Sequence, residues 1–140
     1  MILLDTNVVS ELMRPRPDAA VFAWVARQPR QSLFTTSITK AEILYGIALL
    51  ADGRCKVGLG AAAQRMFGEH FARRILGFDA AAAVHYAEIL TKRRRVGKPM
   101  ATLDAQIAAI ALTARTAVAT RDVTDFEGSG LAVVNPWAAA

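Results

Sequence analysis

The chain has 140 residues, 54% hydrophobic and 21% charged, with 17 Lys and Arg against 12 Asp and Glu. This composition excludes a disordered chain, charge interrupts every apolar run before it could span a membrane, and a single cysteine, Cys55, excludes an internal disulfide. The net charge of +5 favours a polyanionic partner.

Residues 1–140 read as one globular domain, expected in a reducing cytoplasm, with Asp5 breaking the first apolar run against a secretory leader. A strand is predicted at Ile2–Leu4, then a helix from Asn7 to Met13, stopped by Pro15 and Pro17. Asp18 caps a second helix carrying Val21, Phe22, Trp24 and Val25. Ser32–Thr35 reads as a strand. Ser37 then caps a helix through Leu50 that ends near Gly53. Ala61–Ile75 reads as helix and Leu76–Phe78 as a short strand. Asp79 caps a long helix that closes in Lys92-Arg93-Arg94-Arg95. After Pro99 a helix spans Thr102–Arg115. Ala117–Thr120 and Leu131–Val134 close as strands. Strands alternating with helices predict an α/β/α sandwich with a mainly parallel sheet of about five strands.

In such sheets sites form beyond the carboxyl ends of the strands. Asp5 and Asp122 each follow a predicted strand, and Glu42 and Asp104 lie early in apolar helices. Taken singly, Asp5 reads equally as a helix cap, Glu42 as an exposed helix position, Asp104 as a first-turn acid and Asp122 as a turn residue. Together, four carboxylates around one crevice repel unless protons or a cation intervene. An all-oxygen set suits Mg²⁺ or Mn²⁺ rather than zinc, and His70, His85 and Cys55 show no zinc spacing. Carboxylate-held metals support hydrolysis of phosphodiesters. The chain carries neither a Gly-x-Ser-x-Gly elbow nor a phosphate-cradling glycine loop. Neutralising Asp5 is therefore expected to relieve repulsion and leave stability intact or higher.

The segments Leu3-Leu4-Asp5-Thr6-Asn7, Lys40-Ala41-Glu42-Ile43-Leu44-Tyr45-Gly46, Thr102-Leu103-Asp104-Ala105-Gln106-Ile107-Ala108 and Ala119-Thr120-Arg121-Asp122-Val123-Thr124-Asp125-Phe126 resemble a PIN domain of the VapC toxin type. The ending Phe126-Glu127-Gly128 with Val134-Asn135-Pro136-Trp137 resembles the FitB-like branch. The resemblance spans essentially the whole chain. It implies a Mg²⁺- or Mn²⁺-dependent endoribonuclease, with Asp5, Glu42, Asp104 and Asp122 as the metal-site acids and Thr6, Asn7 and Thr120 in support. It also implies a homodimer, and inhibition by a small VapB-like antitoxin whose tail occupies the groove.

Asp125 competes with Asp122 for the fourth acidic role. Asp122 is expected beside Asp5, whereas Asp125, next to Phe126, is expected to bond backbone amides of its loop. Arg14, Arg16, Arg93, Arg94 and Arg95, with Lys92 and Lys98, are candidate RNA-backbone contacts; the Lys92–Arg95 cluster also suits a helix C-terminus. Two rivals stand beside this reading. A haloacid-dehalogenase-like phosphatase needs a second aspartate where Asn7 stands, and a catalytically silent PIN-like binding module has no need of all four acids.

Overall fold

The computed structural model describes residues 1–138. Its five strands, β1 (Ile2–Leu4), β2 (Leu33–Thr36), β3 (Ile75–Leu76), β4 (Ala117–Ala119) and β5 (Val133–Val134), form one sheet in the order β3-β2-β1-β4-β5. Every pairing is parallel, and the register sets Leu3 opposite Phe34 on one side and Val118 on the other. The six helices are α1 (Thr6–Leu12), α2 (Ala19–Ala26), α3 (Ser37–Ala48), α4 (Arg54–Arg65), α5 (Ala80–Arg95) and α6 (Thr102–Ala114).

The pleat sends consecutive residues of the central strand to opposite faces. Leu3 packs with Ile89, Ile107, Ala108 and Phe126 in the layer of α5 and α6. Leu4 packs with Val8, Val21, Trp24, Ile43 and Phe67 in the layer built by α1 to α4. This is the expected α/β/α sandwich. Burial on both faces explains why β1 reads as a continuous apolar run. Strand order reverses between β1 and β4, so a crevice opens at their carboxyl ends.

Several boundaries differ from the sequence reading. Asp5 caps α1 through a hydrogen bond from the Thr6 N–H, one residue earlier than predicted. Thr36 rather than Ser37 caps α3, its Oγ1 accepting from the Thr39 N–H, and α3 stops at Ala48 rather than passing Leu50. The predicted helix at Ala61–Ile75 is α4, which starts at Arg54 and ends at Arg65 before a π turn over Met66–His70. Gly53, at φ 152°, starts that helix instead of ending the one before. Arg73 takes a left-handed φ of 64°, and Ile75 and Leu76 pair with Thr35 and Thr36 as a strand, so the strand expected from Leu76 to Phe78 starts one residue earlier, at Ile75, where helix was expected. A 3₁₀ turn over Val123–Phe126, not anticipated, follows β4 and seats Phe126 in the core.

Candidate active site

Asp5 leaves β1 at the crevice with its side chain buried, 4% exposed. Two donors hold it: the Thr6 N–H at 2.8 Å to Oδ1 and the Thr120 hydroxyl at 2.8 Å to Oδ2. Thr120 ends β4 and is fully buried. With its proton on Asp5, its oxygen accepts from Asn7 Nδ2 at 3.2 Å and from the Asp122 N–H at 3.1 Å. One hydroxyl thus uses its donor and both lone pairs to join the two strand ends. Asn7 completes the link by donating to Asp122 Oδ2 at 3.1 Å and accepting from the Arg121 N–H at 3.2 Å.

Glu42 enters from α3. The Thr6 hydroxyl donates to its Oε1 at 2.8 Å. Thr6 Oγ1 also lies 3.0 Å from Thr39 Oγ1, and since the Thr6 proton is spent on Glu42, Thr39 is the donor of that pair. Thr6, Asn7 and Thr120, named for support, all sit in this network. Thr39 was missed, although its signal was present: three residues before Glu42, it shares that residue's face of α3.

Asp104 reaches the same crevice from the first turn of α6. Among the described residues its carboxylate accepts no hydrogen bond. Burial, then repulsion from Asp5, Asp125, Glu42 and Asp122, pushes its carboxyl up to about 6. Burial also pushes the Asp5 carboxyl up, against the hydrogen bonds from Thr120 and Thr6, with Glu42 and Asp122 adding repulsion. The ion pairs among the described residues are Arg14–Glu11, Lys56–Asp52 and His85–Glu88, so Glu11 on the crevice wall is paired, whereas Asp5, Glu42, Asp104 and Asp122 are neutralised by no basic side chain.

The structure brings both rival acids near. Asp122 lines the crevice beside Asn7, whereas Asp125 acts on Asp104 more strongly than Asp122 does and stands outside the cavity lining. The expected bonds from the Asp125 carboxylate to loop amides are absent among the described residues. What holds that loop is its carbonyls: Arg93 Nη1 donates to Asp125 O at 2.8 Å and Glu127 O at 2.7 Å, while Nε donates to Lys98 O at 2.7 Å.

This corrects the reading of Arg93 as an RNA contact. Its guanidinium is turned inward, 7% exposed, and ties the segment before α6 to the loop after β4. The sequence hid this because Arg93 sits inside a basic run whose neighbours Arg94 and Arg95 are exposed. Arg14 and Arg16 are exposed, and Arg14 lines the crevice wall.

The cavity above the acids is about 740 Å³ and is walled on its far side by Met13, Ile47, Leu59 and Trp137. Trp137 carries the Arg121 guanidinium 4.8 Å above its ring centre. No three His, Cys, Asp or Glu among the described residues stand close enough to cage an ion unaided. The donor set nevertheless fits a hard cation that keeps much of its water. Mg²⁺ is typically held through one or two carboxylates, the rest of its shell being water, and the unneutralised carboxylates supply the opposite charge.

The PIN-domain family model matches residues 2–127. The chain belongs to the PIN-domain family. Its curated relatives match it over nearly their whole length. They include Plasmid stability protein StbB of Pseudomonas syringae pv. tomato, 45% identical over 99% of this chain and all of the relative. VapC ribonuclease Y4jK of Sinorhizobium fredii is 39% identical, and Toxin FitB of Neisseria gonorrhoeae 42% identical, each over 98% of this chain and at least 98% of the relative. A solved FitAB complex bound to an IR36 DNA fragment contains a PIN chain that superposes with a TM-score of 0.89 at 40% identity, covering all of this chain and 98% of that one.

Proposed function

We propose that this chain is a divalent-metal-dependent endoribonuclease that acts as the toxin of a toxin–antitoxin pair. One observation carries the reading. Four acids from β1, α3, α6 and the end of β4 meet at the switch point of a parallel sheet, and no basic side chain neutralises them. The likeness to relatives named VapC ribonuclease and Toxin FitB supports both the activity and the biological role.

Asp5 and Asp104, with Glu42 and Asp122 around them, would hold Mg²⁺ or Mn²⁺ directly or through water. A cation bound there lowers the pKa of water and screens the phosphate during in-line attack. The chain's own contribution is orientation. Thr120 and the Thr6 amide fix both oxygens of Asp5, Thr6 fixes one oxygen of Glu42, and Asn7 fixes one oxygen of Asp122. The apolar wall excludes bulk water from one side of the crevice. The RNA substrate is single-stranded or looped, because this open crevice admits a splayed strand more readily than a stacked duplex.

The partner expected is a small VapB-like antitoxin with a segment over the acids; the likeness to a chain of the FitAB complex supports the partner by analogy. A homodimer is also proposed. Leu44, Tyr45 and Leu49 on and just beyond α3 are exposed at 45%, 66% and 68%, an apolar surface suited to a second copy.

The test is cleavage of single-stranded RNA by purified, antitoxin-free protein with Mn²⁺ or with EDTA. Cleavage with Mn²⁺, lost in EDTA and in Asp5→Asn, is the expected result. Cleavage that persists in EDTA overturns the metal mechanism. RNA binding without cleavage under any metal favours the catalytically silent module.

A further inference from the structure

We propose that single-stranded RNA runs from the acids along a basic trough formed by α1, α2, α4 and the segments leading into β2 and β3. Arg54, Arg65 and Arg30 contact its phosphates, and Phe22 stacks a base. This rests on the endoribonuclease reading and names the path of its substrate.

The trough is continuous. The cavity above the acids shares Met13, Arg14 and Leu59 with a second of about 690 Å³, which runs along α4. The second shares Leu12, Met66 and His70 with a third of about 410 Å³, which reaches Phe22, Arg30 and Arg74. Charge changes sign along it. The first cavity is lined by five carboxylates, Asp5, Glu11, Glu42, Asp104 and Asp122, against Arg14 and Arg121, whereas no carboxylate lines the second or the third. Those two instead gather Arg14, Arg54, Arg65, Arg30, Arg74 and His70.

Arg54 and Arg65 close the two ends of one face of α4, with Gly58 and Ala62 between them at helical spacing. They stand roughly 16 Å apart along the helix axis, a span of several nucleotides. Both are exposed, and neither makes an ion pair among the described residues. At the far end the cations are already positioned. Arg30 Nη2 donates to His70 Nδ1 at 2.8 Å, and Arg74 Nε donates to Leu33 O at 2.9 Å. Phe22, 60% exposed, lines the same cavity. A cationic groove with an exposed aromatic is the pattern that binds single strands through phosphate contact and base stacking. A run of arginines of which only Arg14 is paired with a carboxylate, among the described residues, suits the repeating charge of a nucleic acid better than a polypeptide of mixed charge.

The experiment measures anisotropy of fluorescein-labelled oligoadenylates of about 4 and about 12 nucleotides over a salt series in EDTA, where the proposed cleavage is off and the probe stays whole. Wild type should bind the longer strand more tightly. The double variant Arg54→Gln/Arg65→Gln should bind it at least about tenfold more weakly, lower the log–log salt slope by about 1.4, and bind the short strand as wild type does. Phe22→Ala should weaken the long strand alone, and Tm should stay at the wild-type value in each variant. Wild-type affinity for the long strand in both variants overturns the path. So does a salt slope that drops instead in Arg94→Gln/Arg95→Gln, which moves the strand to the end of α5. If the trough variants bind RNA normally but no longer copurify with the antitoxin, the trough docks protein and the proposal fails. Failure of the ribonuclease reading looks different: length-dependent binding is retained while wild type cleaves nothing.

Discussion

Two sides of the crevice hold their acids in different ways. On the β1 and β4 side, Asp5 and Asp122 are joined through Thr120 and Asn7, so hydrogen bonds set their geometry. At the start of α6, Asp104 accepts no such bond among the described residues and feels the other acids chiefly as repulsion. The first side is organised by the protein alone. The second is held only by its helix and is the place where a proton or a cation changes most. Repulsion that is useless to the empty fold becomes attraction for a metal.

The largest effects should come from the acids themselves. Asp5→Asn and Asp104→Asn should each lower metal-dependent cleavage at least about 100-fold, roughly 2.7 kcal/mol of barrier, in a single-turnover assay. Their stabilities should then part. Relief of repulsion was expected at Asp5, but both its oxygens accept hydrogen bonds, and an amide can satisfy only one of those donors. Asp5→Asn should therefore lose about 1–3 kcal/mol, whereas Asp104→Asn should melt at or above wild type in EDTA. Equal stability in the two variants would erase the distinction between the sides.

Arg93 tests the link between those sides, because it ties Lys98, ahead of α6, to the loop after β4. Arg93→Met should cost on the order of 2–3 kcal/mol in urea unfolding, since three backbone carbonyls lose a charged donor that is itself buried. Mn²⁺ should also raise the melting temperature of the folded variant less than it raises that of wild type, because the acids are less well placed.

The next contrast is in pH. In metal-free protein Asp104 titrates near 6 when folded, against 3.8 without its surroundings. The folded state therefore binds more protons across that window, so stability should fall as pH rises from about 4 to about 6. Asp5, shifted in the same direction, adds to the fall. Thermal melts in EDTA should show this decline, Asp104→Asn should flatten it, and saturating Mn²⁺ should remove it. A rise with pH that survives Asp104→Asn would count against the repelled-acid account.

The smallest effects separate Asp122 from Asp125. Asp122→Asn should slow cleavage about tenfold, about 1.4 kcal/mol, with little loss of stability. Asp125→Asn should change stability by less than about 0.5 kcal/mol, because its carboxylate bonds nothing among the described residues. Its signature should be electrostatic: the Asp104 titration moves to lower pH. A tenfold loss of cleavage in Asp125→Asn instead would exchange the two roles.

Much of this molecule follows from local chemistry. Ile2–Leu4 declares a strand buried on both faces, Asp18 and Asp79 cap the helices they precede, and the ordered acids identify the PIN domain. These features depend on neighbours within a few residues, or on motif order, and a sequence carries both. The rest depends on distant partners. Thr39 meets Thr6 across 33 positions, and Thr120 meets Asp5 across 115. Arg93 turns inward because carbonyls 32 and 34 positions away are offered to it, although its neighbours in the same basic run face water. The end of the helix expected over Ala61–Ile75 was misplaced for a similar reason: local preference favours helix, but pairing with Thr35 draws Ile75 into the sheet. Residue type announces what a side chain can donate, accept or bury, and only the folded chain decides which distant group meets it.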